Sequence, residues 1–154
     1  VIVVASLIEK APNLGGLTRT AEIFNAKQLV ISNLRVMKDK LFTDTSVTAE
    51  KWIPLVHVPV DDLARYLMQM KQEGYTLLGA EQTSDSKSLA TFEFPKRSLI
   101  LLGEEKHGIP AQYIPLLDEC IEVPQLGVIR SLNVHVTGSI FIWEYTKRHA
   151  FGDK

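Results

Sequence analysis

Two apolar runs, Val1–Ile8 and Ser98–Leu102, set the limits on what this chain can fold into. Neither alternates regularly between apolar and polar residues. Strands of that kind bury both faces, which is the condition of a parallel sheet covered by helices rather than of an antiparallel sheet with one wet side. Shorter strand-like runs are Leu29–Ser32, Leu55–Val58, Tyr75–Ala80 and Ile121–Val123. Helical spacing fills the gaps between them. Leu17, Ala21 and Phe24 fall at i, i+4 and i+7 behind Asn13, a candidate cap. Leu63, Tyr66, Leu67 and Met70 share one helical face, with Asp61 as candidate cap and Gly74 as stop. Pro110 suits the first turn of a helix ending near Asp118, and Ser131 opens a last helix reaching about His149. Residues 35–50 read as loop with short helical turns, and residues 81–88 as a polar loop, the segment expected to be most flexible. The alternation predicts an α/β fold: a parallel sheet covered by helices on both faces.

Composition narrows the class. The 154 residues fit one domain, and a chain of that size buries about two thirds of the surface its unfolded form exposes. A hydrophobic fraction of 45% rules against disorder. No apolar run reaches the roughly 18 residues of a membrane-crossing helix. Val1 is not a start methionine and a strand begins at once, so residues 1–154 are expected to be a single domain cut from a longer chain. Cys120 stands alone, which excludes an internal disulfide, and its apolar neighbour Ile121 predicts a buried thiol rather than a nucleophile. The net charge of −1 carries no global nucleic-acid signal, so any RNA contact must come from local patches. The four histidines are scattered with no acid at ligand spacing, and no metal site is expected.

Three segments share a strand–polar-loop–helix layout, the place where open α/β proteins bind ligands. In Asn13-Leu-Gly-Gly-Leu-Thr-Arg19, two glycines allow close backbone approach. Arg19 offers five fixed donors to a phosphate. The same residues also read as a cap, a tight turn and a surface arginine. In Gly103-Glu-Glu-Lys-His-Gly-Ile109, the glycine spacing fits neither a dinucleotide fingerprint nor a Walker loop. Glu105 is placed to bind an amine or orient an arginine, and His107 reads as an exposed loop residue. In Val123-Pro-Gln-Leu-Gly-Val-Ile-Arg-Ser-Leu-Asn-Val134, Ser131 reads as an N-cap, whereas Asn133 has no comparable structural duty. No Ser-His-Asp arrangement or Gly-x-Ser-x-Gly turn occurs, which argues against a hydrolase.

Together the three segments resemble the motifs of the SpoU (TrmH-like) branch of the SPOUT RNA 2′-O-methyltransferases. Asn13, Gly15 and Arg19 match the first motif. Gly103, Glu105, Gly108 and Ile109 match the second. Val123, Pro124, Gly127, Ser131, Leu132, Asn133 and Val134 match the third. The match runs from residue 1 to about 147, in order, and looks closest to the large eukaryotic tRNA guanosine-18 enzymes, a resemblance that implies a single SpoU-type domain forming the C-terminal fragment of a longer chain. The resemblance implies a deep C-terminal trefoil knot, an exception to the rule against threading. It implies S-adenosylmethionine as cofactor, with S-adenosylhomocysteine as product, held at Ala80, Gly103, Gly108, Val123 and Leu132. It implies methyl transfer to a ribose 2′-hydroxyl of tRNA, with Arg19, Asn13, Glu105, Ser131 and Asn133 as catalytic residues and Arg19, Lys106 and Arg130 as RNA contacts. Asn13 and Glu105 would orient Arg19, which would reach the cofactor of a second subunit in a homodimer. An intracellular location, cytoplasmic or nuclear, follows from that substrate. The rival readings are a catalytically silent dimeric RNA-binding or scaffold module of the same fold, and a nucleotide- or NAD-binding enzyme.

Overall fold

The computed structural model describes residues 1–152. Its strands are β1 (Ile2–Val4), β2 (Gln28–Ile31), β3 (Leu55–His57), β4 (Thr76–Ala80), β5 (Lys87–Ser88), β6 (Ser98–Leu101) and β7 (Glu119–Glu122). They form one sheet in the order β3-β2-β1-β6-β4-β7-β5, and every pair is parallel. The apolar runs form its centre, with β1 paired to β6. Ile2, Val4, Leu99 and Leu101 point to one face, and Val3, Ala5, Ile100 and Leu102 to the other. All are buried. Fully burying an aliphatic side chain contributes about 1.5–3 kcal/mol, so alternation with polar residues would have been costly here.

Helices cover both faces. On one lie α1 (Ala11–Ile23), α2 (Lys40–Ser46) and α4 (Val134–Ala150), through Leu14, Leu17, Phe42, Phe141 and Ile142. On the other lies α3 (Val60–Gln72), through Leu63, Leu67 and Met70, beside Ile109 and Tyr113. The predicted α/β architecture is therefore present.

Several local expectations are corrected. Asn13 lies inside α1, not at its cap. The helix starts two residues earlier because Pro12 fits a first turn, and the capping position, Lys10, has no side-chain cap. Asp61 likewise falls in the first turn of α3, where its charge meets the positive end of the helix dipole, while Pro59 occupies the cap. The helix expected over 110–118 is only a 3-10 turn, Ile114–Leu116. Pro115 restricts the residue before it and removes an N–H, so an α-helix cannot propagate. Ser131 does not open the last helix. Asn133 does, its Oδ1 accepting from the backbone N–H of His135 at 2.8 Å and Val136 at 3.2 Å. Strand β1 ends at Val4, and residues 5–8 continue as a buried turn. The run read as Ile121–Val123 pairs as Glu119–Glu122, and Lys87–Ser88, within the supposed loop, pairs with it as an edge strand. Cys120 is only half-buried, with burial pushing its thiol pKa up.

Helices α1 and α4 approach closely because glycines line their contact. A Cβ on Gly16 would lie 2.4 Å from Cε1 of His135, and one on Gly138 would lie 2.5 Å from Cδ2 of Leu17. Burial of His135 in this seam lowers its pKa from the ordinary 6.5, a shift that a hydrogen bond to Gly16 opposes. Below 6.5 the unfolded chain binds a proton that the folded chain refuses. Stability from this source is therefore present above 6.5 and lost as pH falls toward the lowered value. We predict that the melting temperature drops between about pH 7 and pH 5.5, and that His135→Gln flattens this slope. An unchanged slope in the variant would remove His135 from the account.

Candidate active site

The C-terminal ends of β4, β6 and β7 open into a cleft of about 320 Å³. Its apolar lining comes from Leu102, Ile121, Val134 and Phe141. Its polar lining carries both charges: Glu81, Glu104 and Glu122 against Lys106 and Arg130. Ala80, Gly103, Gly108, Val123 and Leu132, the residues expected to hold a cofactor, all line it, as do Glu105 and Ser131. Asn13, Arg19 and Asn133 are not among the lining residues.

The second-motif loop folds on itself. The Glu104 N–H donates to the Gly108 carbonyl at 2.8 Å, and the Gly108 N–H returns to Glu104 at 3.2 Å. Gly103 makes this possible, since a Cβ there would sit 2.4 Å from the Gly108 carbonyl carbon and 2.7 Å from the Ile109 nitrogen. Gly108 has φ +69°, a left-handed conformation that favours glycine. Glu81 pins the same loop by accepting from the Ile109 N–H at 2.7 Å. Glu81 was missed as a site residue. Its signal was positional: it is the first residue past the C-terminal end of β4, where such folds bind ligands.

Glu105 accepts from the backbone N–H of Lys10 at 2.8 Å and of Glu9 at 3.2 Å. It thereby satisfies donors at the uncapped start of α1, which explains how that helix begins without a local cap. Asn133 makes the corresponding tie from the third motif. Its Nδ2 donates to Oδ1 of the buried Asn13 at 2.9 Å while its Oδ1 caps α4. The two backbone donors fix which end of the amide is oxygen.

Arg19 is exposed on α1 and lines a different hollow, with Glu22, Ile23, Ser46–Ala49 and Trp52. Asn13 and Glu105 do not orient it within this chain. The Asn13 oxygen is engaged by Asn133 and the Glu105 carboxylate by the start of α1. Lys106 and Arg130, expected to contact RNA, are exposed at the cleft.

A family model described as the SpoU rRNA Methylase family matches residues 1–143. The chain belongs to the SpoU methylase family. This SpoU chain is 55% identical over 151 residues to the Mus musculus tRNA (guanosine(18)-2′-O)-methyltransferase TARBP1, covering 98% of this chain and 10% of that protein. It is 42% identical over 149 residues to the Saccharomyces cerevisiae tRNA (guanosine(18)-2′-O)-methyltransferase, covering 96% and 10%. The chain thus spans about a tenth of the length of these relatives. Among solved SpoU structures, the Aquifex aeolicus TrmH/SpoU tRNA modifying enzyme superposes with a TM-score of 0.84 at 22% identity, covering 98% of this chain and 76% of that one. The Streptomyces viridochromogenes methyltransferase AviRb in complex with AdoMet gives 0.81 at 19%, covering 99% and 59%. These two likenesses establish the fold.

The carboxylate of Glu105 and the backbone of Gly103 give separable predictions. Glu105→Ala should lower unfolding stability by about 1–2 kcal/mol, the loss of charge-assisted bonds to backbone donors, measured by urea denaturation. Gly103→Ala must displace backbone rather than a flexible side chain. It should distort the cleft while far-ultraviolet circular dichroism stays native. A Glu105→Ala protein as stable as wild type would show that α1 is held at its start by something else.

Proposed function

We propose that this chain is the S-adenosylmethionine-dependent methyl-transfer domain of a tRNA ribose 2′-O-methyltransferase that modifies guanosine 18. The observation that carries the reading is the convergence of the second and third motif loops on one cleft, with the first-motif helix tied to both. The 55% identity to a protein of that activity supports the choice of RNA.

The cleft suits the cofactor. Its volume of about 320 Å³ lies in the range of small-molecule sites. Gly103 and Gly108 let the loop that forms one wall fold tightly on itself, and apolar side chains meet the carboxylates Glu81, Glu104 and Glu122 along the walls. Gly103, Val123 and Leu132 would hold the adenosine end through backbone groups, with Ala80 and Gly108 closing the sides. When bound, S-adenosylmethionine supplies an electrophilic methyl group on a sulfonium.

The chain's own residues must hold the ribose and manage the proton of its 2′-hydroxyl. A guanidinium has five donors and no acceptor. Arg19 therefore acts as a clamp on the adjacent phosphate and a stabiliser of negative charge growing on the 2′-oxygen. The proton leaves through that phosphate or a water. Ser131, exposed at the cleft, positions the ribose. Asn133, Asn13 and Glu105 act through the frame that carries Arg19. Lys106 and Arg130 add phosphate contacts.

Because Arg19 lies outside the cleft of its own chain, the reading includes a two-fold homodimer in which Arg19 serves the partner's cleft. An aromatic face shared by α1 and α4 supports it. The rings of Phe24 and Trp143 meet at a tilt with centres 5.5 Å apart, those of Trp143 and Phe151 at a tilt with centres 6.2 Å apart, and Ile23, next to Phe24 in sequence, is 60% exposed. Exposed apolar groups gathered in one patch mark an interface. The trefoil knot belongs to the same reading as an implication of membership in the SpoU family. A tRNA substrate implies an intracellular enzyme, in cytoplasm or nucleus. Among the described residues no helix is long and apolar enough to cross a membrane.

S-adenosylhomocysteine should raise the melting temperature, with a gain of about 2.7 kcal/mol at 100 times its dissociation constant. No shift at millimolar ligand would count against the cofactor. In the natural full-length protein, Arg19→Ala should abolish radiolabelled methyl transfer to tRNA and leave S-adenosylhomocysteine affinity unchanged. An Arg19→Ala protein that keeps most of its activity would overturn the role given to Arg19. A wild-type protein that binds tRNA but transfers no methyl would favour the silent scaffold. Light scattering at tens of micromolar should give a dimer, and Trp143→Ala should weaken it. A monomeric wild type would remove the shared site.

A further inference from the structure

The hollow that contains Arg19 has features that cofactor binding does not use. It measures about 330 Å³ and lies between α1 and the segment leading into β3. Trp52 on its wall is 74% exposed, and among the described residues its ring stacks on no other aromatic. Val47 and Thr48, both β-branched, take left-handed φ values of 50° and 67°. Such conformations are costly in β-branched residues and cluster at ligand sites. The Ser46 hydroxyl is fully buried and has no hydrogen-bond partner. Glu22 and Arg19 face the same hollow from one side of α1 without forming an ion pair.

We infer that this hollow receives the base of the acceptor nucleotide, a guanine turned out of its RNA stack, with Trp52 as the stacking surface and Glu22 as the group that reads its edge. The inference rests on the proposed methyl transfer and deepens it by naming the base site. An unpartnered indole is the surface on which a splayed-out base stacks, and enzymes acting on nucleotides take them from the stack in this way. Base identity follows from donor count. A carboxylate only accepts. Guanine offers N1–H and N2–H together, whereas adenine and cytosine each offer one amino group and uracil a single N–H. Arg19, a donor only, complements the neighbouring phosphate. The Ser46 hydroxyl is a further polar group without a partner in the wall. One nucleotide thereby brings its base to Trp52 and its ribose to Arg19, which belongs to both sites.

The test uses the natural full-length protein and tRNA transcripts carrying guanosine or inosine at the acceptor position, since inosine lacks only the N2 amino group. Trp52→Ala should lower kcat/KM by about tenfold or more, mainly through KM, with melting temperature, oligomeric state and S-adenosylhomocysteine affinity unchanged. Trp52→Phe should recover most of the loss. Inosine should be a poor acceptor for wild type, and Glu22→Gln should narrow the gap between the two acceptors, because the inosine defect and the Glu22 defect share one contact. Unchanged kinetics in Trp52→Ala, or an inosine penalty that Glu22→Gln leaves intact, would overturn the base site while methyl transfer stands. A Trp52→Ala protein that loses its dimer or its thermal stability would make the hollow a packing surface instead. If wild type transfers methyl to no RNA, the proposed function fails and this inference falls with it.

Discussion

One amide side chain holds the site together. Asn133 uses its oxygen to cap α4 and its nitrogen to reach the buried oxygen of Asn13 in α1. A cap of this kind contributes about 1 kcal/mol. Its larger consequence is geometric. The end of the 124–133 loop, the start of α4 and the middle of α1 share one set of hydrogen bonds. Glu105 adds a parallel tie from the 103–109 loop to the start of α1. Removing Asn133 leaves the oxygen of the buried Asn13 without its partner, which costs more than one ordinary hydrogen bond, whereas the backbone donors freed by removing Glu105 are exposed and reach water.

These ties separate two jobs. The cleft at the ends of β4, β6 and β7 faces one way, and Arg19 on α1 faces another hollow. The first-motif helix is thus fixed relative to the 103–109 and 124–133 loops, but Arg19 projects away from them. In our account a second copy closes this gap, with the aromatic face of α1 and α4 as the surface that sets the distance. The strained Val47–Thr48 turn and the exposed Trp52 then border the same shared site.

The layered fold was legible because its signal is redundant: the central strands carry uninterrupted apolar residues, and α3 carries a clean apolar face. The cleft residues were legible through the motif resemblance, which named Ala80, Gly103, Gly108, Val123 and Leu132. What could not be read was the division of labour within the motifs. Asn133 looked like a site residue without a structural duty and Asn13 like a cap, yet Asn133 is the cap and Asn13 its anchor. The reason is that a cap is set by where the chain turns, and the irregular stretch through Leu132 delays the start of α4. Glu105 looked like a partner for Arg19. Its partners are backbone donors nearly a hundred residues away in sequence, and no local pattern announces them. The missing helix over 110–118 was readable, since Pro115 stands in its middle.

The claim that one chain supplies the cofactor cleft and the other the arginine is tested most directly by mixing two inactive proteins. One carries Arg19→Ala with an intact cleft. The other carries Gly103→Ala, selected for native dimerisation and lost S-adenosylhomocysteine binding. Co-refolded as heterodimers, they should regain methyl transfer well above the sum of the separate variants, because one composite site is again whole. Heterodimers that form but stay inactive would contradict the account and return Arg19 to the cleft of its own chain.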